Sequence, residues 1–470
     1  MEKYLKLIKN VFWFGFGDFG SKIANFVLLP IITQYLTGSE YGQYELLNVT
    51  IFFAVPIVSL LIFNSLLRFA LDKNEDVVEI FSSSFIYTVV SLLIFILLFS
   101  SFDSFLPFSD YMPYFYVFLI LRVLISLFQN LLKVVDKVTI LAVSGVVETI
   151  STVVLILVFL MEKNLGLEGY LLAVVVSNFL SFLTIIIFSN PYRYFDFRKV
   201  KLSKIKTLLL FSLPLVPNSV SQWFINLSDR YFLEILMDSN AVGMYAVSYK
   251  LPLLLTAAYT IFYKAWTIAG IENYSKEDKD NFYSKIYSLL FLTCALLISF
   301  SLVILKPLMA LFAKSEFVDS WRYTPFLFLS VLFSSLSGML GVVYLAVKNT
   351  KSILITSLLG AFINLVMNYF LIPSFGIQAA AFSTFISFIV VWAIRIIDSK
   401  KHINIKTNHF TINLSIALLI IQCVIVIENY DMLIYLNLSI FVLLIFVNAK
   451  LLKSNFIDFK NFFEKYGGKS

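Results

Sequence analysis

Four cations fall inside long apolar runs of this sequence, where a charge needs a physical reason: Lys22, Arg122, Arg230 and Lys250. Each ionised side chain near a bilayer centre costs roughly 2.5 to 3.5 kcal/mol on insertion scales, so such groups persist where they face protein or a water-filled cavity. Guanidinium and ammonium donors suit the oxygens of a phosphate or pyrophosphate. Carboxylates share these runs. Asp18, Glu148 and Asp229 are candidates for coupling to a proton or sodium gradient, or for balancing neighbouring cations. Asp18 with Lys22, and Arg230 with Glu234, are four residues apart and can close within a helix. These eight charges sum to zero, so their number alone does not define a cationic cavity.

Polar side chains accompany the charges at helical spacing. Gly15, Asp18, Lys22 and Asn25 share one face, and Asn218, Gln222, Asn226 and Asp229 share another, so Asn25, Asn218, Gln222 and Asn226 are expected to line a polar cavity. Arg122 and Glu148 each lie about ten residues inside their runs, roughly 15 Å into a hydrocarbon core about 30 Å thick. The stretch from Leu208 to Lys250, which holds most of these groups, reads as lining a transport pathway.

The elements that must position them are membrane spans. Of 470 residues, 60% are hydrophobic, 50 are Phe and only 14% are charged, which describes an all-α integral membrane protein. About fourteen spans are expected, at 11–36, 46–67, 81–101, 111–132, 138–160, 168–189, 208–236, 241–263, 286–305, 323–346, 352–372, 376–397, 410–427 and 432–449. The first is expected to stay as a span, because its apolar region runs on through Asp18 and Lys22 without a small-residue cleavage pattern. With the N-terminus cytoplasmic, 27 Lys and Arg fall on the inside against four outside, with five in spans. That bias predicts both termini in the cytoplasm. The net charge of +7 then needs membrane lipids, not nucleic acid, as its partner.

Other chemistries are excluded residue by residue. Cys294 and Cys423 lie in apolar runs, and His402 and His409 share one basic loop, so no metal cluster or disulfide framework is available. Gly15-Phe16-Gly17-Asp18-Phe19-Gly20 matches a dinucleotide fingerprint letter for letter, but that motif works between a strand and a helix, and inside a span its amides are already bonded. The longest outer loop, Lys306 to Arg322, is too short for an extramembrane catalytic domain and no nucleophile constellation exists, so an enzyme is not expected. No cofactor is expected either, beyond coupling to an H+ or Na+ gradient.

The chain also repeats itself. Residues 36–44 align with 237–245 at an offset of 201, and Gly166-Leu167-Glu168-Gly169 aligns with Gly376-Ile377-Gln378-Ala379 at an offset of 210. Six spans per copy is an even number, so the two lobes are parallel repeats about an axis along the membrane normal. The expected organisation is a six-helix lobe at 1–190, a basic linker at 191–207, a second lobe at 208–398, and a basic loop, two further helices and a tail at 399–470. Position 250 corresponds to Val49 and position 22 to Trp223, so each lobe offers a cation where the other has none.

A Gly-x-Tyr after spans 1 and 7, the Asp229-Arg230 pair, Gly-Leu/Ile-x-Gly/Ala before spans 6 and 12, and the turn Lys348-Asn349-Thr350-Lys351 together resemble polysaccharide and O-antigen lipid flippases. These belong to the superfamily that also holds multidrug exporters and the peptidoglycan-precursor flippase. The resemblance implies two six-helix lobes around a central cavity, alternating access, and export of an undecaprenyl-pyrophosphate-linked oligosaccharide bound by Lys22, Arg122, Arg230 and Lys250. It also implies other polysaccharide assembly proteins as partners. A multidrug antiporter of the same superfamily is the alternative, and it calls for a cavity rich in carboxylates or aromatics.

Overall fold

The computed structural model describes residues 20, 22–24, 26–72, 74–429, 434–449 and 451–453, and every regular element among them is helical. In chain order these are α1 (Leu29–Tyr35), α2 (Gly38–Ser59), α3 (Ile62–Ala70), α4 (Val77–Phe99), α5 (Met112–Val134), α6 (Val138–Ile156), α7 (Gly166–Ser189), α8 (Leu202–Ser212) and α9 (Val216–Leu227). They continue with α10 (Asp229–Leu236), α11 (Ser239–Ser248), α12 (Lys250–Asn273), α13 (Lys279–Phe312), α14 (Thr324–Ala346), α15 (Thr350–Ser399), α16 (His409–Asn429) and α17 (Ile434–Val447).

Nine helical stretches among the described residues are long and apolar enough to cross a membrane, and two bent pairs each qualify as one broken span. The protein is therefore a multi-pass, all-α membrane protein. α15 runs for 50 residues but loses helical geometry at Gly376, so it holds two segments, where spans were expected at 352–372 and 376–397. Of the expected first span, residues 11–19, 21 and 25 lie outside the described residues.

Helix starts and bends follow local chemistry more closely than hydropathy. α2 begins eight residues before the apolar run expected at 46, because Thr37 and Glu40 close a capping box: Glu40 N donates to Thr37 Oγ1 (3.2 Å) and Thr37 N donates to Glu40 Oε2 (2.8 Å). The α2–α3 bend of 56° falls at Leu60 and Leu61, whose φ of 43° and 56° are left-handed, four residues beyond the helix-weakening Pro56. The repeat is visible in backbone conformation. Gly166 (φ 55°) and Gly376 (φ 57°) are both left-handed, as are Asp136 (φ 55°) and Lys348 (φ 58°) in the turns before α6 and α15. Asp238 caps α11 by accepting from Ala241 N at 2.8 Å, in the register that Thr37 and Glu40 hold at the head of α2.

By contact the chain forms two compact units, 1–247 with 314–317, and 248–313 with 318–470. This division differs from the division by repeat, which places the linker at 191–207. In the first unit α8 packs on α3 and α4, around buried Ile62, Leu66, Phe81, Phe128 and Leu208. The basic linker docks on an acidic turn: Lys199 to Asp76 (2.7 Å), Lys201 to Glu79 (2.6 Å) and Lys204 to Glu75 (2.7 Å). The Lys199 ammonium beside Asp76 holds that carboxyl below its ordinary value.

In the second unit α14 is the most buried span and packs on α12, α13 and α15. The terminal pair α16 and α17 is fastened to α13 by amides. Ser299 Oγ donates to Gln422 Oε1 (2.6 Å), Gln422 Nε2 donates to Asn437 Oδ1 (2.6 Å), and Asn437 Nδ2 donates to Leu302 O (3.2 Å). Lipid chains are as apolar as Leu, so polar contacts of this kind carry more of the specificity of helix association than apolar contact does.

Candidate functional site

The first unit buries a charged cluster where α2, α10 and α11 meet. Arg230 Nε lies 3.5 Å from Glu45 Oε1, its Nη1 donates to Asn226 O (2.7 Å), and its guanidinium stands 4.9 Å from the centre of the Tyr245 ring. The Tyr245 hydroxyl donates to Asp229 Oδ2 at 2.7 Å. Asp229 is fully buried, Arg230 is 2% exposed and Glu45 is 9% exposed. One ring thus serves two charges, offering its π face to the cation and its hydroxyl to the anion. Tyr41 is buried beside this cluster, with its ring packed against Tyr44 and Tyr170.

The local sequence explains the placement. Asp229 opens α10 directly after the break at Ser228, and Arg230 reaches back across that break to the last turn of α9. The spacing of four allows Arg230 to pair within the helix to Glu234. Arg230 instead pairs with Glu45, 185 positions away in the chain, while Glu234 accepts from Ser239 Oγ (3.0 and 2.8 Å). Burial favours the partner that shares the dry interior, and Glu234 lies nearer the helix end.

The remaining candidates divide. Arg122 Nη1 lies 3.7 Å from Glu148 Oε1, across α5 and α6, so a cation expected to bind substrate and a carboxylate expected to couple ions stand together as a half-buried pair. Asn226 Nδ2 donates to Gln222 O (2.7 Å), and the stripe grades from exposed Asn218 and Gln222 to buried Asp229. Lys22 is half-buried in a short helical stretch. Lys250 is half-buried and opens α12 in the second unit, just past the 48° bend from α11. Asp18 and Asn25 lie outside the described residues. Trp223 Nε1 donates to Val49 O at 2.8 Å, so the two positions that correspond by repeat to Lys22 and Lys250 bond to each other.

Three features were not legible as functional. Glu45 was placed outside a span expected to start at 46, although the capping box at Thr37 puts it two turns inside α2. Arg395 stands at the very end of the span expected at 376–397, among the Lys and Arg counted on the inside. It lies within α15 at 6% exposure, donating from Nε to Thr356 Oγ1 (3.0 Å), from Nη1 to Ser337 O (2.9 Å) and from Nη2 to Ser357 Oγ (3.2 Å). The third is a reciprocal contact between the two repeated turns. A Cβ on Gly42 would meet the Ser239 carbonyl, and one on Gly243 would meet the Gly38 carbonyl. Because 38 corresponds to 239 and 42 to 243, the contact has the symmetry of the repeat. Glu316 closes over it, accepting from Gly38 N with one oxygen and from Asn240 Nδ2 (3.0 Å) with the other.

A profile of the polysaccharide biosynthesis protein family matches residues 7–267, more than half of the chain. The chain belongs to the polysaccharide biosynthesis protein family. A MatE profile matches residues 214–370 of this family member. Among solved structures, this chain is similar to the lipid II flippase MurJ in an inward closed conformation, with a TM-score of 0.72 and 14% identity over 94% of this chain and 99% of that one. It is also similar to an inward-facing MATE family multidrug resistance transporter of the MOP superfamily (TM-score 0.69, 12% identity, 84% and 96% covered). A MOP superfamily transporter from Pyrococcus furiosus matches with a TM-score of 0.60 at 14% identity, over 85% and 97%. No curated protein matches the sequence. At these identities the likeness is one of fold, and the fold is that of MOP-superfamily transporters.

Proposed function

We propose that this protein is a flippase that carries an undecaprenyl-pyrophosphate-linked oligosaccharide, a repeat unit of O-antigen, capsule or exopolysaccharide, from the inner to the outer leaflet of a prokaryotic cytoplasmic membrane. The observation that carries this reading is the family match over residues 7–267, the stretch that also holds the buried Glu45–Asp229–Arg230 cluster. Similarity of fold to a lipid II flippase supports it. In this reading Lys22, Arg122, Arg230 and Lys250 donate to the pyrophosphate. Arg122 and Arg230 then exchange a carboxylate partner for a substrate oxygen, which keeps each guanidinium compensated. Asp18, Glu148 and Asp229 are the carboxylates proposed to take up the coupling ion. A strain lacking the protein is expected to accumulate lipid-linked oligosaccharide on the inner leaflet and to lose a surface glycan. Normal surface glycan in a strain with no second flippase refutes the proposal.

A second reading, a cation antiporter, is supported by the MatE match and by the make-up of the described cluster, where Glu45 and the Tyr245 ring flank one guanidinium and Asp229 accepts from Tyr245. Cationic dyes distinguish the two. Active efflux from inverted vesicles under a proton or sodium gradient, with intact surface glycan in the deletion strain, favours the antiporter.

A further inference from the structure

We propose that Glu316 is a positioning residue, a strap from the outer loop between α13 and α14 that holds the outer ends of α2 and α11 together and must let go for the protein to open outward. This rests on the transport reading above. Residues 314–317 group with the first unit, and three contacts fasten them there. Lys314 N donates to Thr33 Oγ1 (2.9 Å), Glu316 bridges Gly38 N and Asn240 Nδ2, and buried Phe317 packs edge-on against Tyr41 (6.1 Å). The Lys and Arg distribution places this loop on the outer face.

The chemistry suits a reversible clasp. Gly38 N is the first amide of α2 and has no partner within the helix, so a carboxylate there gains both a hydrogen bond and the favourable end of the helix dipole. Asn240 stands in the first turn of α11, so one carboxylate takes a donor from each copy of the repeat. Glu316 is itself an exposed residue. On release its charge passes to water and no buried ion is stranded. Arg395 is the opposite case, because freeing it would leave a guanidinium unpaired in the interior. Beneath the clasp the turns themselves meet through glycines and backbone.

The test reads outer access without any substrate. In a variant with both native cysteines replaced by Ala, Ala246→Cys serves as reporter, since Ala246 is 3% exposed and lies one turn beyond Gly243 on the same face. A membrane-impermeant maleimide is added to right-side-out vesicles. Glu316→Ala removes both acceptors, and Asn240→Asp sets two carboxylates against each other. Each is expected to speed labelling by about tenfold, the shift that the loss of one charge-assisted hydrogen bond produces. The pair Glu316→Gln with Asn240→Asp reverses the polarity of that bond and is expected to restore the slow rate, which a loss of general stability would not do. Wild-type labelling in the Glu316→Ala or Asn240→Asp protein, or fast labelling that persists in the pair, overturns the proposal. Where the Ala variant is not recovered from the membrane, Asn240→Asp and the pair decide alone. If labelling follows the strap while deletion leaves surface glycan intact, the glycan reading fails and the strap stands.

Discussion

Gly42→Ala is the sharpest perturbation of the contact between the two repeated turns. The added Cβ would stand 2.8 Å from the Ser239 carbonyl carbon and closer still to its oxygen, against an ordinary contact of 3.4 Å. The obstacle is backbone, so no side chain can swing away, and α2 and α11 must part by about 0.6 Å at the carbon and by more at the oxygen. Overpacking of this kind costs typically about 1 to 3 kcal/mol. If the contact forms in only one state of an access cycle, that cost shifts the balance roughly 5- to 150-fold toward the other state. Spin labels on Ser39 and Met237, both exposed, report the separation by pulsed dipolar spectroscopy in nanodiscs. The wild-type protein is expected to show a short distance and Gly42→Ala a dominant longer one, with Gly243→Ala acting in the same direction. An unchanged distance distribution together with wild-type transport in Gly42→Ala refutes the reasoning.

Further outcomes follow from the buried charges and the linker. Glu45→Ala removes the carboxylate paired with Arg230 and is expected to destabilise the protein by about 3 to 5 kcal/mol, read as a fall in melting temperature in detergent. The double variant Glu45→Met with Arg230→Met is expected to regain folded protein but not transport; regained transport would make the pair purely structural. Arg395→Lys keeps the charge but loses the planar fork that serves Thr356, Ser337 and Ser357, and is expected to cost about 1.5 to 3 kcal/mol by the same thermal assay. Asp76, held below its usual value of about 3.9, contributes its full stabilisation above that pH and loses it only as pH falls through the depressed value. Proteolytic nicking of the 191–207 linker in inverted vesicles should therefore stay flat from about pH 5 to 8 and rise only in stronger acid, whereas Asp76→Asn should be nicked modestly faster throughout, because Lys201 and Lys204 keep their partners.

Much of the architecture was legible in residue type and spacing. Apolar runs of about twenty residues have one stable solution in lipid, a helix that satisfies its own backbone, so the spans could be read from composition. Left-handed turns need residues that tolerate them, and Gly166 and Gly376 marked the repeat for that reason. Even the start of α2 was written locally, in Thr37 and Glu40, where a capping signal outweighs hydropathy. Charge partners were a different matter. Spacing reveals only neighbours three or four apart on one helix, and it offered Glu234 to Arg230. Tertiary packing chose Glu45 instead, drew Arg122 to Glu148, and turned Arg395 from a cation at a span end into a buried tie between α14 and α15. Tertiary packing also set Glu316 over two glycine turns brought together from distant parts of the chain. In a dry interior an unpaired charge is too costly to leave where the sequence puts it, so the nearest compensating group in space prevails over the nearest in the chain.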